Sequence, residues 1–200
     1  IQTENILYFK KAGDKGNIES LYQYAVFLKN KEDKSIQEKV AQYFRIAANF
    51  GNPAAMNEYG ACLSKGIGVK PNKEESVKYF KKAAEENNIS AMMNYSFCLI
   101  NGEGISPNIK EAIKYLKASI DKGNKRAMKI YADLLYKGDG IKKNEKEAAK
   151  YYKILADEGD ITSIGRYASM LLSGKGVEYN KEEALQYLNK AVEQNDMIGY

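Results

Sequence analysis

The apolar positions of this chain repeat on two scales. Over short stretches they recur at the three-and-four spacing of an amphipathic helix, and those stretches themselves recur down the chain. Tyr24, Tyr59, Tyr95, Tyr131 and Tyr167 form one series, and Tyr8, Tyr43, Tyr79, Tyr115, Tyr151 and Tyr187 a second, with steps of 35 or 36 residues in both. Gly66 with Gly68, Gly102 with Gly104, Gly138 with Gly140, and Gly174 with Gly176 keep the same period. Registers that stay in phase in this way specify one unit copied along the chain. The copies can therefore be laid over one another and read as an internal alignment.

Each copy reads as two helices. The first carries an apolar stripe of Ala55, Met56, Tyr59, Gly60 and Leu63, matched by Ala91, Met92, Tyr95, Ser96 and Leu99, and by Ala127, Met128, Tyr131, Ala132 and Leu135. The small residue after each Tyr lets a neighbouring helix come close, so this stripe is core. The helix is expected to stop at the first glycine of the pair, in the left-handed conformation that satisfies its last carbonyls. Val69, Ile105, Ile141 and Val177 then turn back into the core. Asn72, Asn108, Asn144 and Asn180 each stand three residues before a Glu (Glu75, Glu111, Glu147, Glu183), a capping-box-like start for the second helix. That helix carries Tyr79, Phe80, Ala83 and Ala84 on one face and Lys and Glu on the other, a solvated surface. It ends at Gly16, Gly51, Gly123 and Gly159, with Asn87 and Asn195 in place of glycine in two copies. Asn or Asp comes next and opens the following first helix. The first full copy departs from the pattern: residues 30–35 contain no glycine pair, and Ser35 with Glu38 is expected to cap its second helix.

The array divides as 1–16 (second helix of a partial repeat), 17–51, 52–87, 88–123, 124–159 and 160–195, with 196–200 opening a further copy. Both ends look like cuts through a longer array, because terminal repeats normally carry a polar cap. Uncapped ends would also permit end-to-end self-association.

Composition narrows the chemistry. A 44% hydrophobic content supports a real core. Histidine is absent, which removes the commonest general base, the usual partner of a Ser or Cys nucleophile, and the commonest zinc ligand. Cys62 and Cys98 are the two cysteines, too few for a disulfide framework or a zinc cluster. They occupy equivalent first-helix positions, and a helix spacing of roughly 8–10 Å exceeds the reach of a disulfide, so both are expected buried and reduced. The net charge of +5 is carried mostly by Lys spread along the whole length and interleaved with Glu, unlike a nucleic-acid face. No apolar run is long enough to span a bilayer and no signal-peptide pattern opens the chain, which reads as intracellular and cytoplasmic. The glycine pairs end a helix instead of opening one after a strand, so they do not form a phosphate loop. No catalytic, metal or cofactor residues are assigned.

With about 36 residues per copy, alanines at fixed places, a G-x-G loop between helices and a Tyr followed by small residues, the chain resembles the Sel-1-like repeat family, related to tetratricopeptide arrays. The resemblance covers essentially the whole chain. It implies an all-α, right-handed α-solenoid serving as a scaffold or adaptor for protein complexes. One branch of that family, the cysteine-rich secreted bacterial proteins, has an intra-repeat disulfide and is associated with penicillin binding or β-lactamase activity. This chain lacks the paired cysteines. A β-lactam-binding or hydrolytic protein and a basic solenoid for single-stranded RNA stand as the alternatives to a scaffold.

In related solenoids the first helices line a concave surface. Internal comparison separates the positions that vary between copies and share one face of that helix. They yield Tyr22 and Gln23 in the first copy, Asn57 and Glu58 in the second, Met93, Asn94 and Phe97 in the third, Arg126, Lys129, Ile130 and Asp133 in the fourth, and Arg166 in the fifth. These are the candidate partner-binding residues, taking a peptide or helix of another protein. Met93, Phe97 and Ile130 are the apolar members, and form either an exposed anchor for a partner or part of the array's own core.

Overall fold

The computed structural model describes the backbone of residues 2–31 and 33–198 and the side chains of residue 7 and of residues 9–31 and 33–193. Eleven helices follow one another among them: α1 (Gln2–Asp14), α2 (Ile18–Leu28), α3 (Lys34–Asn49), α4 (Pro53–Lys65), α5 (Lys73–Glu85), α6 (Ile89–Asn101), α7 (Ile109–Asp121), α8 (Lys125–Lys137), α9 (Glu145–Asp157), α10 (Ile161–Ser173) and α11 (Lys181–Ile198). The fold is an α-solenoid of tandem hairpins in which even-numbered helices are the first of each copy and odd-numbered helices the second. Two compact units divide the chain, Ile1–Tyr115 and Leu116–Tyr200.

In the copies with a G-x-G loop the helix starts are capped as the sequence predicts. Asn52, Asn88, Asn124 and Asp160 each accept a hydrogen bond from the third residue beyond them and open α4, α6, α8 and α10. At the second helices the bond is reciprocal. Asn72 Oδ1 accepts from the Glu75 amide while Asn72 Nδ2 donates to the Glu75 carboxylate, and the same pair recurs at Asn108–Glu111, Asn144–Glu147 and Asn180–Glu183. The backbone amide of each of these asparagines also reaches back to a carbonyl of the first helix, Leu63, Leu99, Leu135 or Leu171. Each hairpin is thereby locked at its turn.

The G-x-G loops do more than end a helix. Gly66, Gly102, Gly138 and Gly174 are the left-handed caps of α4, α6, α8 and α10. The second glycine of the pair is also left-handed, and its importance is closeness: a Cβ on Gly68 would lie 2.1 Å from the carbonyl oxygen of Gln37, and one on Gly104 would lie 2.3 Å from that of Lys73. In the other unit, Gly176 stands in the same relation to Glu145, also at 2.3 Å. The loop of one hairpin is pressed onto the start of the preceding hairpin's second helix, where any side chain would intrude.

The core of the first unit runs through Ala25, Val40, Ala41, Phe44, Tyr59, Cys62 and Leu63, with Val69 packed against it as the sequence suggests. The small residue after the Tyr has the expected use. A Cβ on Gly60 would meet the Phe80 ring at 2.8 Å, and Ser76 Oγ donates to the Gly60 carbonyl at 2.7 Å.

Two local expectations are corrected. The second helix of the first copy is capped by Asp33, which accepts from the Ser35 and Ile36 amides and from the Ser35 hydroxyl, and not by Ser35. A full negative charge at a helix start outcompetes a neutral hydroxyl. At the other end, α11 continues through Asn195 to Ile198 instead of stopping. Asn87 adopts a φ of 61° where α6 packs beyond it. A left-handed backbone costs a non-glycine residue about 1–2 kcal/mol, and remaining helical at Asn195 avoids that cost. The side chain of Tyr8 and residues 199–200 lie outside the described residues.

Candidate functional site

The variable stripe comes to lie on the even-numbered helices, and each unit presents its own part of it. In the first unit Phe97 on α6 is 48% exposed, an aromatic ring standing in solvent. Asn94, one turn before it, is half-buried, as are Glu58 on α4 and Tyr22 and Gln23 on α2. Met93 and Asn57 are largely enclosed: each is only 8% exposed. They occupy the same column of the repeat, and Asn94 Nδ2 donates to Asn57 Oδ1 at 2.8 Å, so that column turns into the seam between adjacent first helices. The two apolar candidates of the third copy thus separate, Met93 to the interior and Phe97 to the outside.

Charge on this face is arranged around Tyr22. Glu58 pairs with Lys29 at 3.1 Å. The carboxylate of Glu19 accepts from Gln23 Nε2 at 2.7 Å and from Asn52 Nδ2 at 3.0 Å, both neutral amides. Burial, with the fields of Glu58 and Glu19, pushes the Tyr22 hydroxyl above the ordinary tyrosine range. Glu19 falls on the same variable stripe, one turn before Tyr22, whereas Lys29 lies outside the residues singled out from the sequence. Their pairings span 33 and 29 residues and fall between repeats, where comparison of equivalent positions gives no signal.

In the second unit Arg126 and Arg166 are exposed, while Lys129, Ile130 and Asp133 are half-buried. Lys129 pairs with Asp160 at 3.1 Å, and Asp133 accepts from the Tyr152 hydroxyl at 2.5 Å. Those two carboxylates are held within the array, which leaves the arginines as the outward charges of this stretch.

Shallow recesses also repeat along the second helices. One is lined by Asn72, Glu75, Lys78 and Tyr79, and its counterpart by Asn144, Glu147, Lys150 and Tyr151. Their walls are the capping pairs themselves, so their recurrence follows from the repeat. Cys62 and Cys98 are buried and unpaired, and burial pushes both thiols up to about 11. Among the described residues no cluster of acids and cysteines could hold a metal ion, and no helix is long and apolar enough to cross a membrane.

The Sel1 repeat model matches residues 53–88, 89–124, 125–160 and 163–196, copy upon copy over more than two thirds of the chain. The chain belongs to the Sel1 repeat family. Members of that family commonly act as protein-interaction scaffolds. The matched spans leave out the α2–α3 hairpin, the one without a G-x-G loop. Among solved structures, a protective antigen of uropathogenic Escherichia coli displaying an SLR fold, c5321, is 25% identical with a TM-score of 0.87, over 94% of this chain and 40% of the antigen. This chain therefore spans less than half the length of that relative. A Sel1 repeat protein from Oxalobacter formigenes is also 25% identical, with a TM-score of 0.80, over 90% of this chain and 74% of that one. Cysteine-rich protein B of Helicobacter pylori shares the fold alone, at 20% identity and a TM-score of 0.51 over 64% of this chain and 92% of its own. No curated protein matches the chain.

Proposed function

We propose that these Sel1 repeats are a scaffold that captures a protein partner, as a peptide or helix, along the outward face of the first helices. The observation that carries this reading is Phe97. It is a large aromatic side chain at 48% exposure, beside the polar Gln23, Glu58 and Asn94 of the same stripe, at a position where the other copies carry Val26, Ala61, Asp133 and Ser169. Exposed aromatic rings rimmed by polar groups are the usual energetic centres of protein interfaces. Gln23, Glu58 and Asn94 form the rim in the first unit, and Arg126, Arg166, Lys129 and Ile130 offer a second, more basic stretch in the other. Met93 supports this surface from below.

The test is affinity capture from the native source with the wild-type chain and with Phe97→Ala, read by quantitative mass spectrometry. A partner retained by the wild type and lost with the variant supports the scaffold. A capture profile that ignores both Phe97→Ala and the paired change Arg126→Glu with Arg166→Glu overturns it.

A further inference from the structure

The amide pair of Asn57 and Asn94 leaves hydrogen-bonding capacity on α6, the helix that carries Phe97, and on its neighbour α4. An asparagine side chain offers two donors and an acceptor. In this pair one Asn94 N–H and the Asn57 oxygen satisfy each other at 2.8 Å. Among the described residues the Asn57 Nδ2 donors and the Asn94 Oδ1 acceptor have no protein partner. A donor and an acceptor side by side on neighbouring helices match the carbonyl and amide of one extended residue. A peptide main chain can satisfy both groups.

Charge decides the remaining direction. On α2 and α4 the Tyr22 ring stands near Glu19, whose partners are neutral amides, and near Glu58, whose charge Lys29 already balances. Among the described residues no cation pairs with Glu19, which leaves this corner a negative charge beside an aromatic face. Such a corner recognises a cation, through the carboxylate and through the ring. Packed helices stand roughly 8–10 Å apart, so the path from α6 across α4 to α2 covers roughly 16–20 Å, the length of about five or six extended residues.

We infer that the first-helix face of the Ile1–Tyr115 unit takes an extended peptide of a partner protein, its main chain on the Asn57–Asn94 amides, an apolar side chain against Phe97 and a basic side chain beside Glu19 and Tyr22. This rests on the scaffold reading above and names the ligand chemistry of that surface.

The test pans a phage library of random dodecapeptides on the full chain and remakes the selected sequences as labelled synthetic peptides for fluorescence anisotropy. The expected sequences carry Lys or Arg and a large apolar residue separated by about five positions. Phe97→Ala should weaken them about tenfold, and Asn94→Ala about fivefold. Glu19→Gln should remove the preference for the basic residue. N-methylation of one central peptide amide should weaken binding to the unaltered protein about fivefold, a readout independent of how well Asn94→Ala folds. Peptides that need Phe97 but are indifferent to N-methylation and to Glu19→Gln overturn this inference and leave the scaffold reading standing. No selectable peptide, or peptides indifferent to Phe97→Ala, overturns both.

Discussion

The ring of Tyr59 stands edge-on to that of Tyr79, with centroids 4.9 Å apart and planes at 88°. Tyr95 with Tyr115 and Tyr167 with Tyr187 repeat the geometry at 5.0 and 5.1 Å. The two tyrosine series of the sequence are thus the two halves of one contact, which joins the helices of each hairpin. A cation from the preceding second helix sits over the first ring: Lys117 lies 5.3 Å from the Tyr131 centroid and Lys153 5.2 Å from that of Tyr167. Edge-on aromatic pairs contribute about 1 kcal/mol beyond the area they bury. Tyr95→Leu should therefore destabilise the chain by about 2–3 kcal/mol, also removing the hydrogen bond that Glu111 accepts from the Tyr95 hydroxyl at 2.9 Å. Chemical denaturation measures it, and an unchanged midpoint would count against the pair.

The same tyrosines give the protein an alkaline limit. Burial first, and then neighbouring carboxylates, raise the hydroxyls of Tyr22, Tyr79 and Tyr115, and burial with the Asp157 hydrogen bond pushes Tyr187 up to about 12. An unfolded tyrosine ionises near pH 10, so above that pH the unfolded chain releases protons that the folded chain retains. Stability is therefore intact below about pH 10 and falls as pH rises toward 12. Melting temperatures in that interval, with phenolate absorbance followed in parallel, check the sign. A flat profile would contradict it.

The glycines should divide by neighbourhood. Gly51 is left-handed, with no atom within 4 Å of where a Cβ would stand, so Gly51→Ala meets only the backbone cost of about 1 kcal/mol. Gly104→Ala adds a collision with the Lys73 carbonyl and should cost about 3 kcal/mol. Equal costs in denaturation curves would remove the argument for the second glycine as a packing position.

Phe97 and Met93 should respond in opposite ways. Met93→Ala opens a cavity under the surface and is expected to cost about 2–3 kcal/mol. Phe97→Ala should stay within about 0.5 kcal/mol of the wild type while weakening partner capture. Thermal melts beside the binding measurements separate the two.

The buried thiols should be slow. With Cys62 and Cys98 pushed up to about 11, little thiolate exists at pH 8, and access is closed as well. Alkylation by iodoacetamide should be sluggish in the native chain and rapid in denaturant. Fast native labelling would show that these helices open readily.

The hairpins were legible because their determinants are local and repeated: the tyrosines, the glycine pair and the Asn–Glu cap recur in every copy that has the loop. Asp33 was missed because a motif search favours the Ser35–Glu38 spacing over an isolated acid two residues earlier. The site was legible only by half. Met93 and Phe97 lie one turn apart on one stripe, and helical spacing cannot say that the Met93 column turns into the seam while the Phe97 column faces out. That difference is set by the neighbouring helix, as the Asn57–Asn94 bond shows, and contacts between copies leave no mark on a comparison of equivalent positions.

The lack of a side chain at Gly68 and Gly104 bears on how such a chain can change length. Because the joint between neighbouring hairpins is made by a missing side chain meeting a backbone carbonyl, it does not depend on which residues flank it. A duplication or excision of one whole copy, in a register of 35 or 36 residues, would bring an identical joint back together. An insertion of any other size would set a side chain against the carbonyl. The loop thus works as a reading frame for the architecture, allowing the array to grow or shrink by whole hairpins while the outward stripe is free to diversify.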